Sequence, residues 1–342
     1  MKCMLKPVGE QTIVITGATS GIGLVTARKA ARRGAKLVLF ARNEDALNTL
    51  CEEIRQHGGL AVPVAGDVGN VEDLQRAAAK AADTYGGFDT WVNNAGVSIF
   101  GTAAAVPLED QRRLFDTNYW GVVHGSLVAS DHFRRKSDFH GGAIINMGSE
   151  ASDAPLPLQS AYTASKHAVK GFTDSLRLEL ESDHLPVSVT LIKPAAIDTM
   201  FVMHAKNYMN VEAKLPPPIY DPELVADAIL YAAAHPRRTL FVGGAAKFTS
   251  ASAYHAPRLF DRVAATLFSR GQRTVRPARP RDDNALYESR HVLHEREGME
   301  GHVLRGCAYN AVVQRPKVAG AIALGAAALA VAALTRARRT PT

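Results

Sequence analysis

The sequence predicts an α/β protein, a doubly wound parallel sheet of about seven strands in one domain, followed by a C-terminal extension. Three observations predict it. Apolar, β-rich runs alternate with helical patterns through the first 245 residues, the order expected when a helix returns each strand to the next. The runs are apolar almost without interruption, which suits strands covered on both faces. The 342 residues, 46% of them hydrophobic, supply a large core and exceed the usual size of one domain.

The predicted strands are 12–16, 37–41, 61–65, 90–93, 143–147, 187–192 and 240–242. Between them, Asn43 caps a helix that stops at Gly58-Gly59, and Asn70 caps another that stops at Gly86-Gly87. Asp221-Pro222-Glu223 opens a further helix, with aspartate as cap and proline at the first helical position, and His235-Pro236 closes it.

The first strand runs into Thr16-Gly-Ala-Thr-Ser-Gly-Ile-Gly23. A turn that begins a helix there offers backbone N–H groups and the positive end of a dipole to a pyrophosphate, and Gly17, Gly21 and Gly23 permit close approach. Their spacing departs from the three-glycine fingerprint common in dinucleotide-binding folds, so an ordinary tight turn is the alternative. The second strand ends at Phe40-Ala41-Arg42, where an acidic residue would hold an adenosine ribose. Alanine removes that acceptor and Arg42 offers a cation to a 2′-phosphate. The expected cofactor is NADP(H) rather than NAD(H). Tyr162 and Lys166 stand four residues apart, on one face if the stretch is helical. The ammonium is expected to favour the phenolate and ready the tyrosine for proton exchange near neutral pH.

These motifs, in this order, resemble the short-chain dehydrogenase/reductase family over roughly residues 9–245. The resemblance implies a Rossmann-like fold. It also implies a catalytic tetrad: Asn118 in Asp116-Thr-Asn-Tyr-Trp-Gly121, Ser149 in Asn146-Met-Gly-Ser, Tyr162 and Lys166. The cofactor contacts expected are Gly17, Thr19, Ser20, Gly21, Ile22, Gly23, Arg42, Asp67, Val68, Asn94, Ala95, Gly96, Tyr162, Lys166, Pro194, Ile197 and Thr199. Asp67-Val68 matches the adenine contact, and Asn93-Asn94-Ala95-Gly96 the segment supporting the sheet beside the cofactor. Ser149 is expected to steady the oxyanion and Tyr162 to donate the proton. Lys166 is expected to tune the phenol and bind ribose hydroxyls, and Asn118 to hold a water linking Lys166 to solvent. One residue departs from the family: Ala195 stands after Pro194 where glycine is usual, and it could alter a turn that needs positive φ. The resemblance also implies a homo-dimer or tetramer, paired through the helices carrying Asn118 and Tyr162.

The segment 200–219 holds the family's substrate lid. Its methionines and prolines favour an apolar alcohol or ketone, since methionine adapts to irregular apolar ligands; filling of the core is the alternative. His167 is expected on the outer side of its helix, and the tail histidines His291, His294 and His302 lack metal spacing, so no metal is assigned.

From Ala256 onward, 15 Lys and Arg face 7 Asp and Glu, so the formal charge of +7 belongs to this part of the chain. Three domains are expected: 1–255 catalytic, 256–316 a basic, partly irregular extension or linker, and 317–335 an apolar helix. Residues 318–334 carry no polar side chain, and Arg315 and Lys317 precede them while Arg336, Arg338 and Arg339 follow. As a helix the stretch measures roughly 26 Å, against a hydrocarbon core of ~30 Å. A membrane anchor is the expected reading, and an Ala-rich helix packed on the body is the alternative. Cys3, Cys51 and Cys307 are scattered and fit a reducing compartment. Residues 1–10 show no secretory signal, so the catalytic body is expected in the cytoplasm. Two other functions compete: a non-catalytic NADP(H)-binding scaffold tethered to a membrane, and a nucleic-acid arm in the arginine-rich tail. The arm lacks interleaved aromatics and is not adopted.

Overall fold

The computed structural model of the protein describes residues 3–136, 141–298 and 301–314. The first strands and helices alternate: β1 (Thr12–Thr16), α1 (Gly21–Arg32), β2 (Lys36–Ala41), α2 (Glu44–Gln56), β3 (Leu60–Ala65), α3 (Val71–Tyr85) and β4 (Thr90–Asn93). After the short β5 (Ile99–Phe100) come α4 (Leu108–Phe115), α5 (Gly121–Arg135), β6 (Gly142–Met147), α6 (Ser160–Ser182) and β7 (Val187–Pro194). The lid region holds α7 (Phe201–His204), β8 (Lys206–Asn207), β9 (Val211–Ala213) and β10 (Ile219–Tyr220), and α8 (Pro222–Ala234) and β11 (Thr239–Val242) complete the body.

Seven parallel strands lie in the order β11-β7-β6-β4-β1-β2-β3. All seven expected strands are present, and the differences are of one or two residues at their ends. Every residue of β1, β4, β6 and β7 is buried, which is why these segments read as unbroken apolar runs. Leu24 of α1, Leu47 and Leu50 of α2, and Val225 and Ile229 of α8 pack one face of the sheet. Leu74 of α3, Phe133 of α5 and Leu176 of α6 pack the other. The expected caps form: Asn43 accepts from the Ala46 amide and Asn70 from the Glu72 amide, and Asp221 accepts from the Glu223 amide. Each satisfies an amide that the first helical turn leaves without a partner.

After β3 the chain crosses to β4 on the far side of β1. The loops leaving β1 and β4 therefore diverge at the carboxyl edge of the sheet, where open α/β sheets place their ligands.

Beyond the body lie α9 (Gly244–His255), α10 (Pro257–Val263), α11 (Ser269–Gly271), β12 (Arg273–Pro277), β13 (Val303–Leu304) and α12 (Ala308–Gln314). The stretch expected as a linker is irregular in backbone, yet it folds back onto the body. β12 pairs with β9 and β13 with β10, and Leu286 and Gln272 are buried. Hydrogen bonds of backbone and charge hold it more than an apolar stripe does, and these leave little periodicity in sequence. The lid expected between β7 and α8 is tied down likewise, because β8 pairs with β5. Asp110 fastens both segments, accepting from Tyr208, from Tyr287 at 2.7 Å and from Lys206 at 2.8 Å. The expected anchor, 318–334, lies outside the described residues. Among the described residues no helix is long and apolar enough to cross a membrane.

Candidate active site

One continuous cleft runs along the carboxyl edge, from Arg42 and Asp67 past the glycine turn to Ser149, Tyr162 and Lys166. The turn leaving β1 is a cradle that only glycine fills. A Cβ on Gly23 would stand 2.0 Å from the Gly17 carbonyl oxygen, and one on Gly17 would stand 2.8 Å from the Ala95 Cα. Gly21 has φ +50° and brings Thr199 of the β7 loop against it. Asn94 locks the turn to β4, its Nδ2 donating to the carbonyls of Thr16 at 3.0 Å and Gly17 at 3.2 Å. The Thr16 hydroxyl accepts from the Asn94 amide at 3.0 Å. The turn is thereby fixed at a helix N-terminus, where the phosphates of a dinucleotide bind, and the residues present fit such a group.

Of the cofactor contacts expected from sequence, all but Gly23 line the cleft. Gly23 acts from beneath, by letting the turn close. Ala195 is not among the non-glycine residues of positive φ in the described chain, and its amide donates to the Val242 carbonyl at 2.9 Å. The expected disturbance of that turn is absent, because an ordinary backbone conformation suits alanine.

On α6, Tyr162 and Lys166 lie one turn apart and both are buried. The Lys166 Nζ donates to the Met147 carbonyl at 2.8 Å and lies 5.7 Å from the Tyr162 ring centre. Ser149 caps a single helical turn, its Oγ accepting from the Ala151 amide at 3.1 Å, and its hydroxyl acts on the nearby Tyr162 phenol to lower its pKa. The phenol itself is displaced the other way from expectation. Burial pushes Tyr162 up to about 12 and the nearby Glu150 adds to that, while Ser149 opposes them. Burial also brings Lys166 down to about 8. Desolvation disfavours the charged form of each group, so removal from water outweighs the expected attraction of ammonium for phenolate.

Asn118 sits in a wide helical turn between α4 and α5, fully buried and outside the cleft lining. Its Nδ2 donates to the Val97 carbonyl at 2.9 Å and to the Ser165 hydroxyl at 3.1 Å, and its Oδ1 accepts from the Val97 amide at 2.8 Å. The side chain thus pins the strand that leaves β4 rather than offering itself to solvent. His167 is exposed and accompanies the Thr163 carbonyl, on the outer side as expected. Among the described residues no His, Cys, Asp and Glu grouping is fit to hold a metal.

Sequence reasoning missed the part of the site that the extension builds. Residues 285–294 cross the cleft as a strap. At one end the Arg42 guanidinium donates to the carbonyls of Ala285 at 2.7 Å and Tyr287 at 3.0 Å, and Arg113 donates to Leu286 at 3.2 Å. At the other, the Gly21 amide donates to the His294 carbonyl at 2.9 Å and the Leu293 amide to the Thr19 carbonyl at 2.7 Å. His291 and Leu293 hold positive φ, at 50° and 63°, a conformation disfavoured for such side chains that the flanking bonds impose. Between the two ends Ser289, Arg290 and Val292 face the cleft. Arg113 also pairs with Asp67 and, although burial pulls the other way, holds that carboxyl below its ordinary range. Burial lowers the Arg42 pKa, and repulsion from Arg113 contributes. No spacing marks backbone carbonyls as partners, so only the arginine excess hinted at this arrangement.

The end of the cleft around Tyr162 is largely apolar, with Leu156, Met200, Phe201, Leu215 and Phe268. The Phe201 ring meets Tyr162 edge-on, its centre 5.4 Å away. Glu150, Gln159 and Gln272 add polar groups there, and burial raises the Glu150 carboxyl to about 7 against a hydrogen bond from Thr249.

Residues 11–209 match the family described as short chain dehydrogenase. Over 332 residues the chain is 45% identical to "Uncharacterized oxidoreductase YxnA" of Bacillus subtilis (strain 168), with 97% of this chain and 93% of that protein covered. It is 36% identical over 196 residues to "11-beta-hydroxysteroid dehydrogenase-like 3" of Arabidopsis thaliana, covering 56% of this chain and 60% of that protein. The Bacillus match is long enough to take in the extension, whereas 196 residues do not cover body and extension together. A solved short chain dehydrogenase/reductase from Burkholderia phymatum in complex with NAD is 27% identical, with TM-score 0.64 over 73% of this chain and 94% of that one. The alcohol dehydrogenase of Thermococcus sibiricus, complexed with 5-hydroxy-NADP, is 25% identical, with TM-score 0.59 over 68% and 95%.

Proposed function

We propose that this chain, which belongs to the short-chain dehydrogenase family and is an oxidoreductase of that kind, is an NADP(H)-dependent enzyme interconverting a carbonyl and an alcohol on an apolar substrate. The observation that carries the proposal is buried Tyr162 in one cleft with Ser149, Lys166, the glycine cradle and an apolar end. When bound, the nicotinamide supplies the hydride; the protein binds, orients and handles the proton.

The Ser149 hydroxyl is placed to donate to oxygen as negative charge gathers on it. Tyr162, held as the neutral phenol, gives its proton to that oxygen. With its pKa raised to about 12, the phenol carries its proton at neutral pH, which is the form that carbonyl reduction uses. Lys166 follows as a reserve of positive charge one turn behind it. Since the Asn118 side chain is taken up by Val97 and Ser165, a water on the proton path would rest on backbone carbonyl rather than on its amide.

Preference for NADP(H) rests on Arg42, with Arg113 and Arg290 beside the same end of the cleft. Clustered guanidinium groups suit a phosphate. The apolar substrate rests on the lining around Phe201 and Phe268, and the name of the Arabidopsis relative points to the same chemical class. Exposed Trp120, Leu127 and Leu178 on the helices around Asn118 and Tyr162 support a homo-dimer or tetramer, as apolar surface of this kind favours association. The run 318–334 supports a C-terminal membrane anchor for a cytoplasmic catalytic body.

The competing reading, a non-catalytic NADP(H)-binding scaffold, draws on the strap's use of the Gly21 amide and Arg42. Tyr162→Phe separates the two. We expect turnover of ketones with NADPH to fall at least about 100-fold with NADPH affinity retained. Unchanged turnover in the variant would remove Tyr162 from the chemistry.

A further inference from the structure

Gln272 comes from the extension, at the junction of α11 and β12, and its backbone is fixed on both sides. Its amide donates to the Phe268 carbonyl at 3.0 Å, and its carbonyl accepts from the Lys214 amide at 3.0 Å. The side chain lines the substrate end of the cleft, is only 1% exposed, and ends a chain of polar groups. Gln272 Nε2 donates to Gln159 Oε1 at 3.3 Å, and Gln159 Nε2 donates to the Ser98 hydroxyl at 2.9 Å. Gln272 Oε1 is buried without a hydrogen-bond partner. An acceptor left so carries a standing penalty, which a ligand able to donate would relieve. Reversing the whole chain, with Ser98 donating to Gln159, leaves Gln272 Nε2 at the same spot. A hydroxyl, both donor and acceptor, satisfies either arrangement.

Gln159 stands just before α6, three residues ahead of Tyr162, about one helical turn or ~5 Å, and Gln272 lies one amide further out. The group it serves is therefore separate from the carbonyl that reacts at Tyr162. We propose that Gln272 is a specificity-determining residue that binds a second hydroxyl of the substrate, so that the substrate is an apolar hydroxyketone and its reduced product a diol. The inference rests on the carbonyl reductase reading above. It gives the extension a part in substrate choice as well as in covering the cofactor cleft. A site built to hydrogen-bond a substrate hydroxyl rejects the analogue that lacks it, because its own polar group is then left unpaired.

The test uses the full-length enzyme with NADPH and matched pairs of steroidal and decalin ketones, each with and without a hydroxyl on the ring remote from the carbonyl. For at least one pair the hydroxylated member is expected to have kcat/KM higher by about 10- to 100-fold. Gln272→Met keeps the volume and removes the amide; it is expected to abolish that preference, bringing the ratio of kcat/KM for the hydroxylated over the deoxy ketone to about one. The proposal is overturned if the wild type prefers no hydroxylated member, a comparison that needs no variant to fold, or if Gln272→Met keeps the preference. If no ketone is reduced at all, the reductase reading has failed. The same pairs are then compared by calorimetric binding to the enzyme mixed with NADP+, where tighter binding of a hydroxylated member supports the site and equal binding throughout overturns it.

Discussion

Tyr162 and Lys166 are governed by burial more than by each other. Both lose access to water on the inner face of α6, so the phenol rises to about 12 and the ammonium falls to about 8. The consequence is a specific pH profile for carbonyl reduction. The phenol is protonated throughout the neutral range, so kcat/KM should be flat there; as pH rises through the Lys166 value near 8, the ammonium behind it is lost and the rate should fall. A rate that instead rises through pH 8 would contradict the role given to the Lys166 ammonium. Their place on one face of a helix was readable from their spacing, but the sign of the phenol's shift was not. It depends on how much of the cleft's wall excludes water, and that wall includes Phe201 from the lid, 39 residues away in sequence.

The end of β2 and the strap 285–294 form one unit, since the Arg42 guanidinium reaches four consecutive carbonyls, those of Ala285, Leu286, Tyr287 and Glu288. Arg42→Leu should therefore do two things together. The ratio of kcat/KM for NADPH over NADH should fall by about tenfold or more, the scale of a lost charge-assisted hydrogen bond, and the melting temperature should drop as the strap loosens. An unchanged NADPH to NADH ratio with a lowered melting temperature would leave Arg42 a fastener of the strap alone. The body's elements were legible because their signals are local: apolar runs for strands, Asn43, Asn70 and Asp221 for helix starts. The strap was not, for its partners are carbonyl oxygens, which every residue carries. The lid was half legible, with Met200 and Phe201 in the cleft as expected, while Val202 and Ala205 fill a small core.

Across the whole molecule, topology decides where chemistry can occur. The crossing from β3 to β4 opens the carboxyl edge between β1 and β4, and the glycine cradle, Ser149 and α6 all meet the cleft there. The extension then returns from α9 to lay Gln272 at the substrate end and residues 285–294 over the nucleotide end. The fold class was readable as a pattern repeated over 245 residues. The return of the extension was not, since pairs such as β9 with β12 join segments about 60 residues apart whose sequences carry no shared period. The central claim, hydride delivery to a carbonyl in this cleft, is tested most directly by supplying NADPH deuterated at nicotinamide C4, on one face at a time, and analysing the alcohol by mass spectrometry. One deuterium on the carbinol carbon, from one face only, is the predicted result. An alcohol without deuterium from either face, or no alcohol from any apolar ketone offered, would contradict the account.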